Sequence, residues 1–282
     1  MNALQMRHVS KAYPGFALKD VSFSLPEGCI MGLIGENGAG KSTTIRLILN
    51  NIRRDAGTIQ VLGRDNRDHF ELTKQDIGVV LDEAYFPAVI TARQVDAIMR
   101  HTYTRWDSTR FFGYIRRFSL PENQPFKSFS RGMKMKLAIA VALSHEARLL
   151  ILDEATSGLD PVARDDILDM LIEYTRDEHH TVLISSHIVS DLEKLCDYIL
   201  FLHKGQVVFC EEKDRLLEQY GMLHCSKESF SALDPAAVKG HRSSPYGVDV
   251  LAERSRLPAG FSPEAVSIED IIVFISKGGK RI

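Results

Sequence analysis

Hydrophobic residues along this chain fall into two rhythms. "LQMRHVS" (4–10), "ALKDVSFSL" (17–25) and "TIQVLG" (58–63) alternate apolar and polar positions, with turn residues between the runs. A period of two predicts an antiparallel sheet covered on one side. "CIMGLI" (29–34), "LLILD" (149–153) and "TVLISS" (181–186) are apolar almost throughout. Such short runs, separated by helical stretches, predict parallel strands buried on both faces. "YILFLHKGQVVFC" (198–210) predicts a closing hairpin that turns at Lys204-Gly205. The fold class is therefore α/β: a mixed, mostly parallel sheet with crossover helices, plus a small antiparallel subdomain.

Between about 84 and 145 the strand signals vanish. "ARQVDAIMRHTYTRW" and "STRFFGYIRRFSL" carry apolar residues at helical spacing, with Pro87, Pro121 and Pro125 as punctuation. This predicts an inserted helical subdomain within a first domain of residues 1–221. Residues 222–282 form a C-terminal extension with one clear element, "SIEDIIVFISKGG". There Ser267 and Asp270 resemble a capping box and Gly278-Gly279 a helix stop. No internal repeat or low-complexity segment interrupts the chain.

Composition narrows the classes. A hydrophobic share of 44% and a charged share of 26% over 282 residues are those of an ordinary globular protein. The formal net charge of -2 gives no general attraction to nucleic acid or anionic lipid. The longest apolar run, "LAIAVAL" (137–143), is far short of the ~20 residues that a membrane span needs. The N-terminal residues lack the apolar core of a signal peptide. Cys29, Cys196, Cys210 and Cys225 are widely spaced without a CxxC pair, as expected of reduced thiols in a cytosolic protein.

The chemistry begins at "GENGAGKST" (35–43), which follows one predicted buried strand and precedes a predicted helix. Gly35, four residues, then Gly40-Lys41-Ser42 is the spacing of a phosphate-binding loop. Its glycines let backbone amides turn inward around phosphate oxygens, and the helix start adds partial positive charge. Asn37, Gly38, Ala39 and Thr43 complete the cradle, Lys41 would reach the β and γ phosphates, and Ser42 would ligate magnesium. Asp153 and Glu154 end the "LLILD" strand. One carboxylate at such a tip can hold the magnesium shell while the next orients a water. His187 ends the "TVLISS" strand at the same carboxyl edge, where ligands of open parallel sheets bind, and is read as a γ-phosphate sensor.

Tyr13, "GENGAGKST", "FSRGM" (129–133), "LLILDEATSGLDP" and "SSH", in that order, resemble the nucleotide-binding subunit of an ATP-binding-cassette transporter over roughly residues 4–210. The resemblance implies a P-loop ATPase core with ATP and Mg2+. It also implies that Tyr13 stacks on adenine and that Asp160, in "SGLD", bridges two subunits through the D-loop. Independently, "SGLD" reads as a strand-to-helix turn with Pro161 at the helix start, and both can hold together. "FSRGM" stands where the family's signature, usually Leu-Ser-Gly-Gly-Gln, is found: Ser130 and Gly132 match, while Phe129, Arg131 and Met133 depart. After "IGVV" (77–80) the family carries a magnesium-binding glutamine, where this chain has Asp82, with Glu83 as the alternative oxygen donor.

A helix start bearing Ser130 and the Gly132 amide is a second anion site. The resemblance implies that it faces away from its own phosphate loop, so that a head-to-tail homodimer completes both sites. It further implies membrane-spanning permease partners docked near "DEAYFPAVIT" (82–91), where Tyr85 and Phe86 suit a partner helix. The expected place is then the cytoplasmic face of the cell membrane. "FSRGMKMK" is similar to type-2 exporters of peptides and antibiotics. A soluble cassette ATPase acting on ribosomes or DNA is the competing class, but the charge balance speaks against nucleic acid. A simple P-loop kinase would leave Ser130, Asp160 and His187 without a role.

Overall fold

The computed structural model describes residues 1–68, 70–82 and 86–277. Glu83, Tyr85 and Gly278-Gly279 thus lie outside the described residues. The chain starts with β1 (Asn2–Tyr13), β2 (Phe16–Pro26), β3 (Ile30–Ile34), α1 (Lys41–Ile48), β4 (Ala56–Val61) and β5 (Arg64–Asp65). A short helix, α2 (Phe70–Thr73), leads to β6 (Ile77–Val80). Three helices follow: α3 (Ala92–Thr102), α4 (Ser108–Arg117) and α5 (Arg131–Ala142). The next stretch is β7 (Leu149–Asp153), α6 (Pro161–Tyr174), β8 (Thr181–Ser185), α7 (Val189–Leu195), β9 (Tyr198–His203) and β10 (Gln206–Glu212). The tail holds α8 (Lys213–Gln219), β11 (Tyr220–Cys225), α9 (Lys227–Ser231), β12 (Val238–Ser244), β13 (Gly247–Glu253) and α10 (Ile268–Lys277).

These strands make three sheets. The central one runs β10-β9-β3-β8-β7-β6, all parallel except β10, and the antiparallel layer runs β2-β1-β4-β5. The tail makes a third, antiparallel sheet, β11-β13-β12. Every residue of β3, β7 and β8 is buried, as their unbroken apolar runs predict. Alternation within them still matters, because it divides the core in two. Ile30, Leu150, Leu152, Val182, Ile184 and Phe201 point toward α5, α6 and α7. Met31, Leu33, Ile151, Leu183, Leu200 and Leu202 point to the opposite face, where α1 and the antiparallel layer cover them. Each such side chain contributes about 1.5–3 kcal/mol by leaving water.

Helix starts follow their capping residues. Thr91 and Gln94 form a capping box on α3, and the Asp107 side chain accepts the Arg110 N–H on α4. Ser130 accepts from the Met133 N–H at 3.2 Å on α5, and Asp160 accepts from the Ala163 N–H at 3.0 Å on α6. The expected box on α10 is present, with Asp270 accepting from the Ser267 N–H and Ser267 from the Asp270 N–H, both at 3.0 Å. The hairpin between β9 and β10 turns at Lys204 and Gly205, both at positive φ (47° and 78°), the backbone of a tight two-residue turn. That turn braces its neighbours. The Gly205 N–H donates to the Ala39 carbonyl at 3.1 Å, and the Gly205 carbonyl accepts from Lys19 at 2.8 Å.

Candidate active site

Because β6, β7, β8 and β3 are parallel, their carboxyl ends meet at one edge of the central sheet. Residues 35–40 leave β3 there, Asp82 follows β6, Asp153 and Glu154 end β7, and His187 follows β8. A cavity of about 690 Å³ opens along that edge. Its walls include Asn37, Gly38, Gly40, Lys41, Ser42, Thr43, Asp82, Glu154 and His187, as well as Gly15, Phe16, Glu36, Arg131 and Ser157.

The loop's shape has two separate steric causes. Gly40 has φ +111°, a backbone closed to ordinary side chains, and a Cβ there would meet Leu18 Cδ2 at 2.5 Å and Phe16 Cζ at 3.0 Å. Gly35 instead packs flat on β9, where a Cβ would fall 2.5 Å from the Leu202 carbonyl oxygen. The N–H groups of Gly40, Lys41, Ser42 and Thr43 find no acceptor among the described residues. Free amides at a helix start are an anion cradle.

Lys41 is almost fully buried (6% exposed) beneath them. Its Nζ donates to the Gly35 carbonyl at 2.7 Å and lies 3.6 Å from Glu154 Oε1. Glu154 in turn holds His187, with Oε2 2.6 Å from Nδ1. One carboxylate thus joins the lysine of the phosphate loop to the histidine of the next strand. Glu154 has the left-handed φ of +52°, and its N–H is held by the Ser185 carbonyl and hydroxyl, both at 3.1 Å. A non-glycine residue in that region is strained unless its surroundings over-determine it, and these two bonds do so. The Ser185 hydroxyl also donates to Asp153 Oδ1 at 2.5 Å. Asp153 therefore stands behind the cavity wall, buried to 4% exposure.

Among the described residues, no three His, Cys, Asp or Glu side chains converge as a metal cage. The oxygen donors at the edge are the Ser42 hydroxyl and Asp82 on the wall, with Asp153 behind. Mg2+ characteristically takes one or two carboxylates, phosphate oxygens and water. This sparse set of hard oxygens beside a phosphate cradle fits that habit.

Other sequence-predicted residues lie off the cavity. Tyr13 ends β1 at 42% exposure, with Lys11 Nζ 5.5 Å from its ring, and it does not line the wall. Phe16 does, three residues on, and touches the loop at Gly40. No sequence motif pointed to it. Gly35 and Ala39 support the loop from behind. Ser130, Gly132 and Asp160 stand outside their own chain's cavity. The bond from the Ala163 N–H holds the Asp160 carboxyl below its ordinary pKa, and the strand-to-helix turn read from "SGLD" is present, with Pro161 starting α6. Glu36, Ser157 and Arg131 are the further lining residues that sequence motifs did not assign to this wall.

An amide cradle, a buried lysine and a carboxylate–histidine pair at the edge of a parallel sheet define a P-loop nucleotide-hydrolysing site. The sequence profile of the ABC transporter family matches residues 18–157. Over 99% of both chains the protein is 32% identical to the ABC transporter ATP-binding protein YtrB of Bacillus subtilis (strain 168). It is also 32% identical to the lantibiotic transport ATP-binding protein SrtF of Streptococcus pyogenes, over 75% of this chain and 91% of that one. Among solved structures, an ATP-binding subunit of an ABC transporter superposes with a TM-score of 0.70 at 28% identity, covering 77% of this chain and 92% of the other. The chain belongs to the ABC transporter family as an ATP-binding subunit, and it hydrolyses ATP. No helix among the described residues is long and apolar enough to cross a membrane.

Proposed function

We propose that this chain is the motor of a membrane exporter, closing as a head-to-tail homodimer on two MgATP and opening after hydrolysis. The 35–43 loop holds the phosphates. Lys41 exchanges its Glu154 contact for β- and γ-phosphate oxygens, which frees Glu154 to orient the attacking water. His187, bonded to Glu154, senses the γ-phosphate. Ser42 and Asp82, with Asp153 behind them, would hold Mg2+, which neutralises charge on the phosphates when bound. In this reading Ser130 and the Gly132 amide face the partner copy's nucleotide, and Asp160 crosses the dimer interface. Permease subunits take up the motion from the segment before α3, which places the chain peripherally at the cytoplasmic face of the membrane. Residues 1–221 are read as the ATPase domain and 222–282 as an appended one.

The observation that carries the dimer is the separation of parts. Ser130 and Gly132 begin α5, a helix start suited to an anion, yet neither faces the cavity of its own chain. Hydrogen bonds to a charged group contribute about 1.5–3 kcal/mol each. Switching a two-state equilibrium from 1:99 to 99:1 takes about 5.5 kcal/mol. Two bonds at each of two sites exceed that, so loss of the γ-phosphate releases the pair. The relative named for lantibiotic transport supports peptides or antibiotics as cargo.

Glu154→Gln, which keeps the side chain's shape and removes its charge, tests the closure. With MgATP it should run as a dimer on size-exclusion chromatography with light scattering, and as a monomer with MgADP. A monomer under both conditions refutes it.

A further inference from the structure

Arg131 occupies an odd position for a folded protein. It is the first residue of α5, immediately after the Ser130 cap, with no acidic residue in that first turn. A cation there opposes the helix dipole. The residue is exposed, and its guanidinium makes no hydrogen bond or ion pair among the described residues, so within the fold only water satisfies that charge. Instead the side chain lies along Gly158. A Cβ on that glycine would be 3.5 Å from Arg131 Nε and 3.6 Å from Cδ and Cζ. Gly158 has φ +74°, so the bare backbone of this turn and the flat guanidinium fit each other.

From there Arg131 reaches the cavity. It lines the same cavity as Ser157, Glu154 and His187. Ser130 and Gly132, its neighbours in sequence, do not. The lining carries two long-chain cations, Lys41 and Arg131. Lys41 is already bonded to the Gly35 carbonyl and faces Glu154. Arg131 has no protein partner among the described residues, and a guanidinium is the side chain best shaped for phosphate oxygens.

We propose that Arg131 contacts the terminal phosphate of the nucleoside triphosphate bound by its own chain, and through Gly158 ties that phosphate to the D-loop. This deepens the ATPase reading and rests on it. Within "FSRGM", Ser130 and Gly132 serve the partner's site while Arg131 folds back to its own. A diphosphate is too short to be held this way. Each chain therefore distinguishes ATP from ADP before it pairs, and the D-loop that carries Asp160 is set by the nucleotide in cis.

The test uses the full chain, diluted until light scattering reports a monomer, with fluorescent-nucleotide competition by ADP and by the β,γ-imido analogue of ATP. Arg131→Ala should weaken the triphosphate about tenfold, the loss of one charged hydrogen bond at a solvent-accessible site, and leave ADP within about twofold. Arg131→Lys should recover part of that difference and Arg131→Gln none. Melting temperatures of Arg131→Ala and Arg131→Gln should equal or exceed that of the parent, since the dipole conflict is eased, while Arg131→Lys, which keeps the charge, should match it. An unchanged ratio of triphosphate to diphosphate affinity would overturn the proposal. So would a loss seen only at concentrations where the chain dimerises, which would place Arg131 in trans. A lowered melting temperature with both nucleotides weakened alike would make the residue structural and overturn it too. A parent chain that binds neither nucleotide would instead refute the ATPase reading itself, before any variant is made.

Discussion

His145 should make this protein acid-labile in a way that one substitution removes. The residue follows α5, is 1% exposed and stacks on Tyr103 with ring centroids 3.8 Å apart. Its Nδ1–H donates to the Gln75 carbonyl at 3.3 Å, while Nε2 is buried without a partner. Burial pushes its pKa from 6.5 down to about 4; the nearby Arg105 acts the same way, and the Gln75 bond and Asp76 act against it. The folded state thus binds the proton more weakly than the unfolded state does. The associated stability is complete above pH 6.5 and is lost as pH falls from there toward 4. By linkage the loss is about 1.5 kcal/mol at pH ~5.5 and about 3 kcal/mol at pH ~4. His145→Phe keeps a ring against Tyr103 and removes the proton site, but gives up the bond to Gln75, at about 1 kcal/mol. At neutral pH the variant should therefore be slightly the less stable. The two curves of stability against pH should cross between about pH 5 and 6, with the variant more stable below. Urea unfolding followed by Trp106, the chain's single tryptophan, reads this out, because Trp106 also stacks with Tyr103, with ring centroids 6.4 Å apart. Other carboxylates titrate in the same range, so the informative quantity is the difference between the proteins. Parallel curves from pH ~7 to ~4 would refute the reasoning.

Lys41→Ala removes the buried ammonium that faces Glu154; calorimetry should show nucleotide affinity falling by about 10- to 100-fold with the fold retained, and an unchanged affinity would exclude the phosphate role. Gly205→Ala places a Cβ 1.9 Å from the Ala17 carbonyl oxygen at a φ of +78°; chemical denaturation should register a loss of about 2–4 kcal/mol, with weaker nucleotide binding because Gly205 also supports Ala39. Burial raises the thiol pKa of all four cysteines, Cys210 to about 11. At about pH 8 an aromatic disulfide reagent should therefore find no prompt thiol in the folded chain and four after unfolding, and one fast equivalent per folded chain would contradict this.

What the sequence disclosed depended on how local the cause was. Alternation and unbroken apolar runs revealed β1, β2, β3, β4, β7, β8 and the β9–β10 hairpin, because each strand's pattern records the faces it buries. β6 escaped notice: it is four residues long at the edge of the sheet, and Val79 is 36% exposed. The tail sheet escaped for a similar reason. "VKGHRSS" in β12 is mostly polar, and its pairing with β13 comes from tertiary contact rather than pattern. In the site, loop spacing and strand ends located Lys41, Glu154 and His187, since backbone geometry dictates where those residues emerge. Phe16 was hidden because its role arises from the closeness of β2 to Gly40, which no motif encodes. The start of α6 at Pro161, by contrast, was plain from "SGLDP" alone.

The tail also changes what can be removed from this molecule. Ile268, Ile271 and Ile272 of α10 share one continuous core with Leu192 and Leu195 of α7, the helix that directly follows His187. The Ile268 N–H donates to Glu193 of that helix at 3.1 Å, and α10 presses so close to β12 that a Cβ on Gly240 would fall 2.3 Å from the Phe274 carbonyl oxygen. A shortened chain ending near 221 would leave the rear of α7 wet and its oily residues uncovered. Anything that tugs on the last helix, whether a neighbouring protein or a protease, therefore has a mechanical grip on the histidine at the far end of that seam.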